Sequence, residues 1–307
     1  MINGRTKITG VFGYPVEHTL SPIIHNTAFE YLGLNYVYLP FLVKPEDIKS
    51  ALAGIKALDI CGVNLTIPHK EACIPYLDSI DSDAGVIGAV NTIKLEKGKL
   101  KGYNTDAEGF ILSLKNETSF TKPKGKTVFI LGAGGSSRAV VYALAKEKAA
   151  RIIVANRNIG RAKKLIHEIN KKFPLCKMEA IALGEKFVEE YLRESNLLVN
   201  TTSVGLKYGD GILINTNFLH KDLLFYDLVY SPFGTKLLIE AKKRKLEAID
   251  GLGMLIYQAI LAFGIWTGKK PPVKIIQQAV RNFIRQTSSP RRRGTRNKNT
   301  GFPPSRE

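Results

Sequence analysis

The sequence predicts an α/β fold in two units: an N-terminal α/β unit and a second, doubly wound one, with the last helices packing back on the first. Three observations carry that expectation. Short apolar runs alternate with amphipathic stretches from residue 7 to about residue 284. A glycine-rich turn, Gly132-Ala133-Gly134-Gly135, stands between an apolar run and a helical pattern. A polar stretch at residues 116–126 separates two alternating series.

The elements follow in order. Residues 7–13 read as a strand ending at glycine, and Ser21-Pro22 opens a helix to about residue 32, with Ser21 as N-cap and proline at its first position. Residues 36–41 are strand-like, Pro45 starts a helix to about residue 57, and residues 60–65 form a third strand. Residues 86–94 and 99–103 read as a hairpin across Lys97-Gly98. A helix over 106–116 leads to the polar stretch. Beyond it come a strand at 126–131, a helix at 136–148, a strand at 151–155 and a helix at 159–172. Buried strands follow at 197–200 and 223–228, then helices at 252–266 and from 273 to about 285. The expected boundaries are 1–107 plus returning helices at 250–286, 108–249, and a tail at 287–307.

The chain has 307 residues, 44% hydrophobic and 23% charged, enough for two cores. No apolar run approaches the roughly 18–20 residues that span a bilayer, and the first residues lack the apolar centre of a signal peptide. Cys61, Cys73 and Cys176 form no Cys-x-x-Cys pair, which fits reduced thiols in a cytoplasm. The five histidines show no i, i+4 pairing, so no metal site is expected. Net charge is +18, of which residues 285–307 supply +6. That basic, Ser/Pro/Gly/Asn-rich tail reads as a disordered, solvated terminus, with nucleic-acid contact the less favoured use. The remaining basic excess suits a phosphorylated cofactor and a carboxylate substrate.

Three polar blocks stand where apolar runs give way to loops: Asn64-Leu65-Thr66-Ile67-Pro68-His69-Lys70, Gly88-Ala89-Val90-Asn91-Thr92 and Gly102-Tyr103-Asn104-Thr105-Asp106. Amides, hydroxyls, one ammonium and one carboxylate at strand ends suit a hydroxyl-rich small molecule and a proton transfer. The turn Gly132-x-Gly134-Gly135-x-x-Arg138-Ala139 has the strand-to-helix context of a Rossmann-type dinucleotide site, with Ala133 and Ser136 beside the glycines. Ala139 is a candidate for the small residue in helix–strand packing. At the end of the next strand an NAD site usually carries Asp or Glu. Here Asn156-Arg157-Asn158 appears, with Arg161 one turn on, which suits the 2′-phosphate of NADP.

Taken together these blocks resemble the shikimate dehydrogenase family over residues 7–284. The resemblance also rests on Gly13-Tyr14-Pro15-x-x-His18-Thr19-Leu20-Ser21-Pro22-x-x-His25-Asn26 and Asn200-Thr201-Thr202-Ser203-x-Gly205. It extends to Asp227-x-x-Tyr230-x-Pro232-x-x-Thr235 and Gly251-x-Gly253-Met254-Leu255-x-x-Gln258. It implies reversible NADPH reduction of 3-dehydroshikimate to shikimate, in the route to chorismate and the aromatic amino acids. Lys70 is then the acid/base group with Asp106 beside it. Thr19 and Ser21 bind the substrate carboxylate, and Thr66, Asn91, Asp106, Tyr230 and Gln258 contact ring hydroxyls or carboxylate. Leu228, Gly251 and Met254 fall to the nicotinamide side. The family usually has serine where this chain has Thr19, which keeps the hydroxyl and stiffens χ1. His18, His25 and His69 read as structural hydrogen-bonding residues. Rival readings are a quinate/shikimate dehydrogenase of looser substrate and cofactor choice, a tetrahydrofolate-linked dehydrogenase, and a non-catalytic sensor or nucleic-acid-binding protein on the same fold. The choice between monomer and homodimer stays open.

Overall fold

A computed structural model describes residues 2–184, 188–207, 209–230 and 234–288. The first half folds as β1 (Lys7–Gly13), α1 (Ser21–Tyr31), β2 (Tyr36–Leu42), α2 (Ile48–Ala57), β3 (Gly62–Leu65), α3 (His69–Ala72), β4 (Ser79–Ile80), α4 (Ser82–Ile87), β5 (Thr92–Glu96) and β6 (Lys99–Tyr103). Its six strands lie in the order β2-β1-β3-β5-β6-β4. β1 pairs parallel with β2 and β3, whereas β5 runs antiparallel to both β3 and β6. The β5–β6 hairpin turns at Lys97-Gly98 as expected.

Two local expectations fail. Residues 86–91 are not strand. Asp81 caps α4 by accepting from the Asp83 N–H at 3.0 Å, and Gly88 ends that helix with φ 68°. The apolar stretch here is a buried helix end followed by a buried loop, and a short apolar run has no period to tell these from a strand. Ser21 does not cap α1. Leu20 holds the N-cap position without a side-chain hydrogen bond, and Ser21 is already the first helical residue.

The second half begins with α5 (Asp106–Glu117) and continues through β7 (Thr127–Leu131), α6 (Gly135–Lys146), β8 (Arg151–Asn156), α7 (Ile159–Asn170), β9 (Lys177–Ala182) and α8 (Val188–Arg193). β10 (Leu197–Asn200), β11 (Leu224–Asp227), α9 (Lys236–Lys243) and β12 (Ala248–Ile249) complete it. All six strands are parallel, ordered β12-β11-β10-β7-β8-β9. Val128, Phe129, Ile130 and Leu131 are fully buried, as a strand covered by helices on both faces requires. From β7 the chain runs outward to β8 and β9 on one side, then crosses back to lay β10 against the other side of β7. That switch point opens a crevice at the carboxyl ends of β7 and β10.

α10 (Leu252–Thr267) and α11 (Val273–Ser288) then return to the first sheet. Phe263, Ala259, Ile260 and Ile276 pack with Ile24, Phe29 and Tyr38 of α1 and β2. Each such large apolar side chain contributes about 1.5–3 kcal/mol on burial. Trp266 adds a directional anchor, donating from Nε1 to the carbonyl of Ile93 at 3.0 Å. α11 runs to Ser288, taking in the first two residues of the expected tail, and the expectation for the rest of the tail lies outside the described residues from 289 onward. Among the described residues no helix is long and apolar enough to cross a membrane.

Candidate active site

The three polar blocks converge. Asn64 lies on β3, Asn91 directly precedes β5 and Thr92 opens it, Thr105 follows β6, and Asp106 is the first residue of α5. Lys70 on α3 donates to Asp106 Oδ2 at 2.7 Å, with side chains 14% and 6% exposed. Asn91 is the hub. Its Nδ2 donates to Asp106 Oδ1 at 2.9 Å, to Thr105 Oγ1 at 2.9 Å and to Gln258 Oε1 at 3.2 Å. Its Oδ1 accepts from the Thr105 N–H at 2.8 Å. Asn64 extends the network, donating to Thr92 Oγ1 at 3.0 Å and accepting from Tyr38 Oη at 2.8 Å. Gln258 arrives because α10 comes close to α5. A Cβ on Gly109 would lie 2.7 Å from the Gln258 backbone nitrogen, so only glycine fits there.

Thr19 and Ser21 sit together at the start of α1, with Thr19 Oγ1 donating to Ser21 Oγ at 3.2 Å and accepting from the Ser21 N–H at 3.3 Å. The Ser21 hydroxyl is not engaged in capping; it accepts from Thr19, and the residue is 6% exposed. Thr66 is half-buried directly after β3, and Tyr230 is half-buried against the α1–α10 core, where burial raises its phenol.

The glycine turn faces this network. Gly132 has φ 104°, and a Cβ there would stand 2.7 Å from Thr201 Oγ1 on the loop after β10. Ser137 closes the turn by donating to the Gly132 carbonyl at 2.8 Å. Gly134 is the N-cap of α6, and a Cβ there would meet nothing within 4 Å. The first N–H groups of α6 thus face an open cradle, which fits a dinucleotide pyrophosphate. Lys70 reaches across to it, its Nζ 3.3 Å from Ser136 Oγ. At the end of β8, Asn156 bonds the Asn158 carbonyl at 2.8 Å, and Asn158 caps α7 through the Arg161 N–H at 3.3 Å. Arg157 and Arg161 are exposed beside it, with Arg161 4.0 Å from Glu71. Leu228 packs half-buried, and Gly251 lies against its carbonyl. Met254 is only 6% exposed, inside the core cluster of the second sheet, so packing accounts for it.

The histidines divide. His69 Nε2 lies 2.8 Å from the Val43 carbonyl, a structural bond as expected. His25 differs, since neither ring nitrogen has a hydrogen-bond partner among the described residues. It stacks on Tyr38 with centroids 4.2 Å apart, and burial lowers its pKa to about 3. His18 is exposed.

Sequence reasoning placed Asn64, Thr105, Arg138 and Asp227 inside its motifs but gave none of them a role of its own, and it did not name Ser137. Polar residues inside apolar runs were the available signal. Asp227, fully buried at the end of β11, accepts from Asn200 at 2.9 Å, the Val229 N–H at 3.0 Å and Thr235 at 2.6 Å. Burial pushes its carboxyl up to about 6 against those bonds.

A doubly wound sheet with a glycine turn at its switch point, facing a lysine–carboxylate pair, defines a dinucleotide-dependent oxidoreductase. Residues 11–93 match the shikimate dehydrogenase substrate binding domain, 115–205 the shikimate / quinate 5-dehydrogenase family, and 251–281 the shikimate 5′-dehydrogenase C-terminal domain. A shikimate dehydrogenase (NADP(+)) of Methanopyrus kandleri is 46% identical over 92% of this chain and 98% of its own. The crystal structure of shikimate dehydrogenase from Aquifex aeolicus is 44% identical, covers 92% of this chain and 100% of its own, and superposes with a TM-score of 0.84. A shikimate dehydrogenase solved in complex with NADP+ is 43% identical over 92% of this chain and 98% of its own, also with a TM-score of 0.84. The chain belongs to the shikimate dehydrogenase family.

Proposed function

We propose that this chain catalyses the reversible, NADPH-dependent reduction of 3-dehydroshikimate to shikimate in the cytoplasm. The observation that carries this is Lys70, bonded to Asp106 on one side and 3.3 Å from Ser136 of the cofactor cradle on the other. NADPH, when bound, supplies the hydride. Gly132, Ala133, Gly134, Gly135 and Ser136 hold its pyrophosphate. Asn156, Arg157, Asn158 and Arg161 hold the 2′-phosphate at a strand end that carries no carboxylate. Leu228 and Gly251 line the nicotinamide side, with Met254 supporting from the core.

Lys70 delivers the proton to the developing alkoxide and stabilises its charge. Asp106 holds that ammonium in place and accepts from a ring hydroxyl. Thr19 and Ser21 bind the carboxylate, and Thr66, Asn91, Tyr230 and Gln258 read hydroxyls or the carboxylate. Such buried polar groups discriminate, because an analogue lacking a hydroxyl leaves its partner unpaired. The test is nicotinamide absorbance with shikimate or quinate and with NADP or NAD. Turnover with shikimate and NADP well above the other three combinations is expected. A preference for NAD or quinate would favour the quinate/shikimate reading.

A further inference from the structure

Arg138 lies within the glycine motif yet takes no part in the cradle. It is 7% exposed, on a helix whose other residues from Ser137 to Ala145 are all buried. Its guanidinium leaves the second sheet's layer. Nε donates to the carbonyl of Ile87, the last residue of α4, and Nη2 donates to Glu168 on α7. The Ile87 carbonyl is one of the terminal groups that a helix leaves unpaired. A planar guanidinium donates in both directions at once, which an ammonium on a single stem does not reproduce. The partner surface is shaped for it, since a Cβ at Gly88 would fall on the guanidinium. At the far end of α6, Lys146 pairs with Asp83 of α4 at 2.7 Å. Thus α4, from the first sheet's unit, is fastened to α6 at both ends.

What this fastening holds is the distance between two halves of the site. Ile87 leads through Gly88 and Ala89 to Val90, whose N–H donates to the Lys70 carbonyl at 2.8 Å, and then to Asn91. Asn104 secures the same stretch by donating to the Ala89 carbonyl at 2.9 Å. The first turn of α6 packs on these residues directly. A Cβ at Gly135 would lie 3.2 Å from Lys70 Cβ and 3.8 Å from Ala89 Cβ. Arg138 sits one turn further along α6, behind that contact.

We propose that Arg138 is a positioning residue: by bonding the Ile87 carbonyl it holds the first turn of α6, and with it the cofactor cradle, in register with Lys70 and Asn91. This rests on the functional reading above. Each ligand site lies almost wholly on one side of the contact, so loosening it leaves each ligand's own binding intact while the reacting groups fall out of line. A misplacement of about 1 Å costs on the order of 10²-fold in rate.

The experiment compares wild type with Arg138→Met, Arg138→Lys and Glu168→Gln. In Arg138→Met, kcat falls about 10- to 100-fold, while the dissociation constants of NADP alone and of shikimate alone stay within about twofold. In the ligand-free protein, amide hydrogen exchange at Gly88, Ala89 and Val90 speeds up about tenfold, as expected of a local opening. Arg138→Lys falls as well, because its single ammonium is drawn to the Glu168 carboxylate and leaves the Ile87 carbonyl unbonded. Glu168→Gln, which leaves the Ile87 bond, falls less than about threefold. Wild-type kcat in Arg138→Met, unchanged exchange at Gly88–Val90, or equal weakening of both ligands with normal kcat would each overturn the proposal. If Arg138→Met does not fold, Arg138→Lys and Gly88→Ala, whose added methyl displaces the guanidinium, carry the same test. A wild type inactive on shikimate sinks the functional reading instead, and the ligand-free exchange still decides the role of Arg138.

Discussion

Asp106→Asn isolates the charge of the carboxylate beside Lys70. Both of its oxygens accept: Oδ2 from Lys70 at 2.7 Å and Oδ1 from Asn91 at 2.9 Å. An amide has one acceptor oxygen, so its NH₂ must confront either the ammonium or the Asn91 amide nitrogen. One bond is lost in either orientation. The two side chains are only 14% and 6% exposed, so water replaces the lost bond poorly. A hydrogen bond to a charged group contributes about 1.5–3 kcal/mol, roughly 10- to 150-fold in rate or affinity. The loss is expected in kcat, because the pair holds the ammonium where the alkoxide forms. Initial rates over a range of shikimate at saturating NADP measure it, with a thermal melt to confirm folding. A kcat within about twofold of wild type would refute the reasoning. A loss confined to KM for shikimate would make Asp106 a binding residue, with Lys70 acting without a charged partner.

Lys70→Ala should lower kcat by roughly 10²–10⁴-fold with shikimate affinity, read by ligand-dependent fluorescence, largely kept; near-normal turnover would remove Lys70 from the mechanism. Arg157→Ala should raise KM for NADP about 10-fold or more and leave that for NAD nearly unchanged, with Arg157/Arg161 double substitution worse; equal losses for both cofactors would mean that Arg157 supports the pyrophosphate site or the fold. Asp227 gives a stability–pH prediction. Its folded pKa, about 6, lies above the ordinary 3.8, so the native state binds the proton more tightly and stability falls as pH rises from about 4 to 6. Two pH units correspond to about 3 kcal/mol. Asp227→Asn, which mimics the protonated acid, should therefore gain in melting temperature over wild type as pH goes from 4 to 7; a constant difference would contradict the raised pKa.

Much of the fold is legible locally. β1, β6 and β10 have the bounds expected of them, and most other expected strands and helices are matched to within one to three residues. Apolar period, proline and glycine act within a few residues of themselves, so a linear reading reaches them. It fails at residues 86–91, where an apolar run has no period to read, and at Ser21, where helix entry depends on the backbone of Leu20. The strands β4, β9 and β12 were not named. β4 and β12 are two residues long, and β9 is strand because β8 lies beside it.

The sequence by itself determined the chemical inventory: which side chains donate, accept or carry charge, and where a glycine turn meets a helix. Those properties belong to single residues and short neighbourhoods. Only the tertiary structure decided how the inventory is assembled. Lys70 meets Asp106 across 36 positions and Asn91 meets Gln258 across 167. No local pattern encodes that meeting, because it follows from strand order and from the return of α10. The burial that raises the Asp227 carboxyl and brings Arg138 onto Ile87 has the same origin, since it depends on which surfaces the whole chain brings together and removes from water.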